Sequence, residues 1–325
     1  MNRRKILVTG GAGYIGSHTV LLLLERGYDV AVVDDLSKGH RHNVPAGKLY
    51  EMNLLDGAAL AGLMRQERFD AVIHFAALAE VGESMREPER YFRNNVGGSL
   101  SLLGAMLETG VKHIVFSSTA AVYGTPQGTP IREDFPIQPV NPYGESKSMV
   151  EKMLRWFDEI HRLTSVTLRY FNAAGADPEG RLGEEHDPES HLIPLVLRAV
   201  ITGKPVTVFG NDYDTPDGSC IRDYIHVNDL AQAHILAVEH LCGGGASDRF
   251  NVGTGSGQTV LEVIAAVEKV TGQKVPYVMG ERRAGDPPSL VAAPDKLRAT
   301  LGWKPEYTGL RTIVEHAWKF ARKNS

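Results

Sequence analysis

Tyr143 and Lys147 stand four residues apart in the segment P-Y-G-E-S-K (142–147), at the start of a stretch with helical period. Both side chains therefore face one side of a helix, one turn apart. A phenol with a reference pKa of about 10 is a poor base at neutral pH. A neighbouring ammonium favours the phenolate, which takes a proton from an alcohol hydroxyl. A Tyr and a Lys at this spacing also occur by chance on exposed helices. A third group adds force: F-S-S-T-A-A-V-Y-G (116–124) runs off the end of a strand and puts Thr119 24 residues before Tyr143. Ends of parallel strands are where doubly wound sheets hold ligands, so a hydroxyl there meets a substrate.

The segment T-G-G-A-G-Y-I-G (9–16) lies between a strand and a helix, with glycines at 10, 13 and 16. Gly10 permits a tight turn, Gly13 lets the backbone approach a pyrophosphate, and Gly16 lets helix and strand pack closely. A glycine string alone solves backbone geometry in many turns. Here the next strand ends in Asp34-Asp35, 18 residues past Gly16, where a carboxylate bonds an adenosine ribose 2′-hydroxyl and repels a 2′-phosphate. The cofactor expected is NAD rather than NADP. Its oxidised nicotinamide adds a positive charge that favours the Tyr143 phenolate while hydride leaves the same carbon, and Lys147 reaches the nicotinamide ribose.

The elements that must position these groups alternate. Strands are expected at 5–8, 29–34, 49–53, 71–75, 113–117 and 166–171, and helices at 15–26, 58–66, 89–108 and 143–163. This is an α/β pattern: a Rossmann-type doubly wound parallel sheet of six strands. After Asn172 a loop rich in Asp, Glu, Pro and Gly (177–190) leads to a helix at 192–202, and the alternation becomes irregular. A strand at 205–209 and helices at 227–240, 260–271 and 310–322 read as a smaller mixed α/β substrate lobe. The expected division is 1–175 for the cofactor, with roughly 220–240 returning to it, and 176–325 for the substrate.

Composition excludes other classes. Lys and Arg number 35 against 39 Asp and Glu, a net charge of −4 among 325 residues, so no global basic field draws nucleic acid or an anionic membrane. No run approaches the ~20 apolar residues that span a bilayer. The basic N-terminus leads into an apolar stretch cut at once by Thr9-Gly10-Gly11, unlike a signal peptide. Cys220 and Cys242 make neither a disulfide framework nor a Cys/His metal spacing, so no metal is expected and a reducing, cytoplasmic setting is.

The motifs T-G-G-x-G-Y-I-G, H-F-A-A, V-G-E-S, S-S-x-A-x-V-Y-G, P-Y-G-x-S-K, R-Y-F-N and C-I-R-D-Y-I-H-V occur in order. By them the chain resembles the UDP-glucose 4-epimerases of the extended short-chain dehydrogenase/reductase family, from residue 5 to the last helix. The resemblance implies NAD-dependent interconversion of UDP-glucose and UDP-galactose. Tyr143 takes the 4-hydroxyl proton while NAD takes the C4 hydride. The 4-keto sugar then turns and receives the hydride on its other face. Thr119 would relay the proton, and Lys147 would polarise the Tyr and bind ribose. Tyr14, Ile15, Asp34, Asp35, Leu36, Asn53, Leu54, Phe75, Ala76, Ala77, Asn94 and Phe171 fall at NAD positions. Asn172, His191, Leu192 and Phe209 fall at substrate positions, and Arg222, Arg283 and Asp286 where the family grips uridine diphosphate. The resemblance also implies a homodimer, paired through the helices at 89–108 and 143–163, whose apolar positions exceed what covering a sheet requires.

The chain departs from the family at several points. Ala79 replaces a cofactor-binding Lys, Asn53 replaces an adenine-binding Asp, and Ser190-His191-Leu192 replaces Asn-Asn-Leu. Leu290 lies in size between the bulky Tyr of strict glucose/galactose enzymes and the smaller residue of those that accept N-acetyl sugars. The expectation is good turnover of UDP-galactose and weaker turnover of UDP-N-acetylgalactosamine and UDP-N-acetylglucosamine. Competing expectations are a 4-epimerase of UDP-glucuronate or a UDP-pentose, a sugar-nucleotide 4,6-dehydratase, and a non-catalytic NAD-binding regulator. Ala120-Ala121 stands where a dehydratase carries Asp-Glu, and a regulator has no need of Tyr143, Lys147 and Thr119 together.

Overall fold

The computed structural model describes residues 3–44, 48–283 and 286–323. Ala284 and Gly285, between the candidate residues Arg283 and Asp286, lie outside the described residues.

The alternation of apolar runs becomes β1 (Lys5–Thr9), α1 (Tyr14–Glu25), β2 (Asp29–Asp34), β3 (Lys48–Glu51), α2 (Gly57–Glu67) and β4 (Ala71–His74). Two short helices, α3 (Val81–Ser84) and α4 (Pro88–Tyr91), precede α5 (Gly98–Thr109), β5 (His113–Thr119), α6 (Pro142–His161) and β6 (Thr164–Tyr170). The second half supplies β7 (Asn172–Ala174), α7 (Leu192–Thr202), β8 (Val206–Phe209), β9 (Ile221–His226), α8 (Val227–Cys242) and β10 (Asp248–Val252). It ends with β11 (Gly257–Thr259), α9 (Val260–Thr271), β12 (Tyr277–Gly280), β13 (Ser289–Leu290), α10 (Asp295–Leu301) and α11 (Leu310–Lys323).

The main sheet has seven strands in the order β10-β6-β5-β4-β1-β2-β3. Every neighbouring pair is parallel, as βαβ crossovers require. The expected six strands gain β10, which pairs with β6 from Asp248 opposite Val166 to Val252 opposite Tyr170. Its five residues, D-R-F-N-V, carry two charges and offer only Phe250 and Val252 as an apolar face. Only pairing in space marks them as a central-sheet strand. Residues of α1, α8 and α10 fill one face of the sheet, with Leu23, Leu230 and Leu297 fully buried. Those of α2, α5 and α6 fill the other, around Leu60, Leu102 and Leu154. Strand order reverses between β1 and β4, and the crevice above that point is where a doubly wound sheet holds its ligand.

The helix expected at 89–108 is interrupted. Phe92–Gly97 forms a π-helical turn between α4 and α5, and such turns cluster at functional sites. The turn brings Asn95 inward, where its amide donates to the Leu78 carbonyl (3.0 Å) and Ser146 Oγ (2.9 Å) and accepts from Leu78 N–H (2.9 Å). Helix α6 starts where its sequence says. Asn141 caps it by accepting from Gly144 N–H at 2.8 Å and Pro142 occupies its first turn, a cap worth about 0.5–2 kcal/mol.

The smaller part has its own core from α7, α9 and α11, including Val196, Val263 and Val314. Its strands form two small sheets: β9 with β7, β11 and β13, and β8 with β12. Among the described residues no helix is long and apolar enough to cross a membrane, and Cys220 and Cys242 are free thiols.

Candidate active site

The glycine loop leaves β1 at the sheet's reversal point. Gly10 has φ +73°, and a Cβ there would fall 2.5 Å from Ala76 N. A Cβ on Gly16 would fall 2.1 Å from Gly10 O, so these two glycines serve turn and packing. Gly13 differs: the nearest protein atom to its ideal Cβ is 3.5 Å away. The protein itself does not require glycine there, whereas a ligand lying on the backbone does. Gly13 is also the N-cap of α1, and no side chain caps that terminus, which leaves first-turn N–H groups for an anion. The cradle fits a dinucleotide pyrophosphate.

Asp34 ends β2 and is 8% exposed. Its two oxygens accept from Ala12 N–H and Leu36 N–H, each at 2.9 Å. Burial pushes its carboxyl up, and those two bonds oppose the shift. Leu36 adopts φ +58° to deliver its N–H, a left-handed conformation that costs a non-glycine residue about 1–3 kcal/mol. Asp35 is exposed and accepts from Ser37 N–H (3.0 Å) and Asn53 Nδ2 (2.8 Å). The Asn53 oxygen meets Leu55 N–H at 2.9 Å. The half-buried Phe75, Ala76 and Ala77 leave β4 beside the glycine loop, with Phe75 and Ala76 donating to the Thr9 carbonyl at 2.9 and 3.1 Å. Leu54 is buried beneath α2 and α5. Asn94 lies in the π-helical turn and donates to Asn95. Tyr14 points away from the loop, its hydroxyl donating to the Gly175 carbonyl at 2.7 Å, while Ile15 packs on the sheet core.

The reactive groups sit on the ends of β5 and α6. Tyr143 and Lys147 are buried, and the Thr119 hydroxyl lies close enough to pull the Tyr143 phenol down. Thr119 Oγ1 also caps the turn Ala120–Tyr123 by accepting from Ala121 N–H at 3.1 Å. Lys147 Nζ donates to the Ser117 carbonyl at 2.8 Å and lies 4.9 Å from the Phe116 ring centre. Burial lowers the Lys147 ammonium to about 7, against an upward pull from Glu151. Burial, with a smaller push from Tyr170, holds the Tyr143 phenol above its ordinary range, and Thr119 works the other way. Desolvation thus works against the pull of ammonium on phenol that the sequence implied, because burial penalises the charged form of each group.

Behind these residues lies a polar network that the sequence reading missed. Arg169, 2% exposed, donates to Glu151 through Nε (3.0 Å) and Nη2 (2.5 Å) and to Tyr123 OH at 2.9 Å. Glu151 also accepts from Ser118 Oγ at 2.6 Å, and Tyr123 OH donates to Asn251 Oδ1 at 2.7 Å. The network ties α6 to the strand that carries Thr119. Glu151 stands four residues after Lys147, a spacing that places both on one helix face and was the available signal.

The substrate positions gather on the small sheets. Asn172 pairs opposite Tyr224 and donates to the Asp223 carbonyl at 3.3 Å. Arg222 pairs opposite Leu290, forms an ion pair with Asp286 and donates to the Pro287 carbonyl at 3.0 Å. The Arg283 guanidinium covers the Phe209 ring at 4.0 Å. Leu290 and Phe171 both pack on the cluster of Val122, Tyr123 and Ile131, which connects this group to the β5 end. Leu192 opens α7 and packs into the lobe core. His191 Nδ1 turns towards Glu184 (2.7 Å) and Glu189 (3.0 Å). Burial opposes its charge, but the two carboxylates raise it to about 10.

A family model described as "NAD dependent epimerase/dehydratase family" matches residues 6–253. The chain is 53% identical to the UDP-glucose 4-epimerase of Halalkalibacterium halodurans, over 98% of this chain and 96% of that one. Among solved structures, the UDP-glucose 4-epimerase of Brucella ovis in complex with NAD superposes with a TM-score of 0.95 at 48% identity, covering 97% of both chains. The Bifidobacterium longum enzyme in complex with NAD+ and UDP does so with a TM-score of 0.92 at 40% identity, covering 98% of both.

Proposed function

The chain belongs to the NAD-dependent epimerase/dehydratase family, and we infer that it interconverts UDP-glucose and UDP-galactose by inverting C4 through a transient 4-keto sugar. The observation that carries this reading is the buried Tyr143, influenced by the Thr119 hydroxyl, with Lys147 one helical turn on, above the reversal point of a sheet with an open Gly13. NAD is the cofactor, and when bound it supplies a reversible hydride acceptor. Gly10, Gly13 and Gly16 with the α1 N-terminus would hold its pyrophosphate, Asp34 and Asp35 its adenosine ribose, and Phe75, Ala76 and Ala77 would line its path.

The chain's own residues carry the proton. Tyr143 withdraws it from the sugar 4-hydroxyl and returns it after the sugar has turned, and Thr119 relays it. Lys147 takes up positive charge as the phenol loses its proton. Arg222 and Arg283 supply charge-assisted donors for the diphosphate, which anchors the nucleotide while the hexose turns. Ala120 and Ala121 bear neither acid nor base, which disfavours a 4,6-dehydratase. Leu290, intermediate in size and packed on the Val122–Tyr123 cluster, supports weaker turnover of N-acetylated UDP-sugars.

Residues 1–175 with α8 and β10 form the cofactor part of this proposal, and the remaining lobe holds the sugar nucleotide. Leu100 on α5 and Met149, Trp156 and Ile160 on α6 are exposed, and a second copy of the chain is the occupant that covers them. A cytoplasmic setting, where UDP-sugars and NAD are both at hand, completes the reading.

The test is parallel assay of UDP-galactose, UDP-N-acetylgalactosamine, UDP-glucuronate and a UDP-pentose with wild type and Tyr143→Phe. UDP-galactose is the best substrate, and Tyr143→Phe loses at least the ~10²–10⁴-fold typical of an acid–base group while NAD stays bound. Preference for UDP-glucuronate or the pentose would move the assignment to another epimerase, and no turnover of any would leave an NAD-binding regulator.

A further inference from the structure

We propose that Glu184, His186, Glu189 and His191 form a site for one divalent transition metal ion, with Zn2+ the best chemical match. The four residues follow an E-x-H-x-x-E-x-H pattern within the loop 184–191, and one donor atom from each falls within 4.8 Å of all the others. His186 Nδ1 and His191 Nδ1 stand 3.0 and 2.7 Å from the same oxygen, Glu184 Oε1. Glu189 Oε1 is 3.0 Å from His191 Nδ1, and the two imidazole rings are 4.9 Å apart, tilted by 43°.

A carboxylate and one imidazole suffice for an ion pair. Two imidazole nitrogens aimed at one oxygen, with a second carboxylate beside them, is the convergence that ligands show around an ion. The charge balance agrees. The Glu184 and Glu189 side chains are only 5% and 9% exposed, and two carboxylates drawn from water side by side repel unless positive charge lies between them, one charge from a His191 imidazolium or two from a bound ion. A dication neutralises both, and two neutral imidazoles complete a four-coordinate shell.

Donor type selects the metal. Two nitrogens and two oxygens suit Zn2+ and its borderline neighbours, whereas Ca2+ and Mg2+ prefer oxygen-only shells. The loop is also placed so that fixing it matters. His186 meets the Tyr14 ring edge-on at 6.2 Å, His40 Nε2 bonds the Glu185 carbonyl at 2.8 Å, and His191 is the N-cap of α7. An ion here would pin the start of the small lobe to the glycine-loop side of the cleft.

The experiment uses the full chain without an affinity tag, freed of metal by chelator and titrated with Zn2+ by calorimetry at neutral pH. One equivalent is expected to bind per chain. His186→Asn and Glu184→Gln should each weaken binding by at least the ~10–100-fold that loss of an outer-shell partner causes elsewhere, and His240→Asn, outside the cluster, should not. Co2+ should give visible bands of tetrahedral intensity that His186→Asn abolishes. Binding with no defined stoichiometry, or equal affinity in the folded His186→Asn and Glu184→Gln variants, would overturn the proposal and leave a salt-bridged cluster. Should those variants fail to fold, X-ray absorption on the wild-type zinc form decides, with two nitrogens and two oxygens at ~2.0–2.2 Å expected and an all-water shell refuting it. None of these readouts depends on turnover, so failure here leaves the epimerase reading intact.

Discussion

Lys147 Nζ donates to the Ser117 carbonyl at 2.8 Å, which ties the helix that carries Tyr143 to the strand that carries Thr119. The same burial that makes this bond possible lowers the Lys147 ammonium to about 7.

That value sets a pH dependence. At acid pH both Lys147 and Tyr143 are protonated, and the base form of the pair has one proton fewer. The pair loses its first proton near the Lys147 value, after which the phenol can pass its own proton to the amine. kcat/KM should therefore rise with pH through about 7, because that ratio reports the free enzyme. A flat profile across that region, or an unchanged rising limb in Lys147→Met, would refute the assignment.

Thr119→Val removes the hydroxyl that stabilises the Tyr143 phenolate and caps the Ala120–Tyr123 turn. A hydrogen bond to a charged group is worth about 1.5–3 kcal/mol, so kcat should fall by roughly 10- to 150-fold. Thr119→Ser keeps the hydroxyl and should recover most of the loss in the same steady-state assay.

Gly13→Ala separates ligand from fold. Its Cβ would meet nothing of the protein nearer than 3.5 Å, so the melting temperature of the cofactor-free chain should hold. NAD affinity should weaken by roughly 5- to 150-fold, from the 1–3 kcal/mol typical of overpacking. Gly16→Ala, with a Cβ 2.1 Å from Gly10 O, should lower both, as read by thermal melts with and without NAD.

Glu151→Leu strands the buried Arg169 guanidinium, whose charged form the pair strongly favours. Removing one partner of such a pair costs about 3–5 kcal/mol, measurable as a lower urea midpoint. A change under 1 kcal/mol (roughly the worth of an exposed pair) would mean that water reaches Arg169.

Trp156→Glu puts a charge in the exposed apolar stripe of α6, beside Met149 and Ile160. Sedimentation should show the wild type at the mass of two chains and the variant at one, since loss of a central aromatic anchor costs about 2 kcal/mol or more. A wild type that sediments as a single chain would remove the dimer.

Much of the fold was legible before any coordinates. β1, the glycine loop and α1 declare themselves because strand, turn and helix signals follow one another locally, and the helical period after Pro142 announces α6 in the same way. β10 did not, because D-R-F-N-V shows only two apolar residues, Phe250 and Val252, among two charges, too short a pattern to read until it pairs with β6. The π-helical turn at Phe92–Gly97 was also hidden, since its apolar spacing reads as ordinary helix.

The sequence by itself determined which chemistry is present: a phenol, an ammonium and a hydroxyl in order, and an acidic residue after a glycine-rich turn. Residue type and short-range spacing carry that information. Only the tertiary structure decided the state of those groups. Burial, which depends on every element packed around them, holds the Tyr143 phenol neutral and brings Lys147 down to about 7. It also gathered Arg222, Arg283 and Leu290 from separate strands and loops, and drew Glu184, His186, Glu189 and His191 to within 4.8 Å of one another, because distance in space is set by packing that no local window contains.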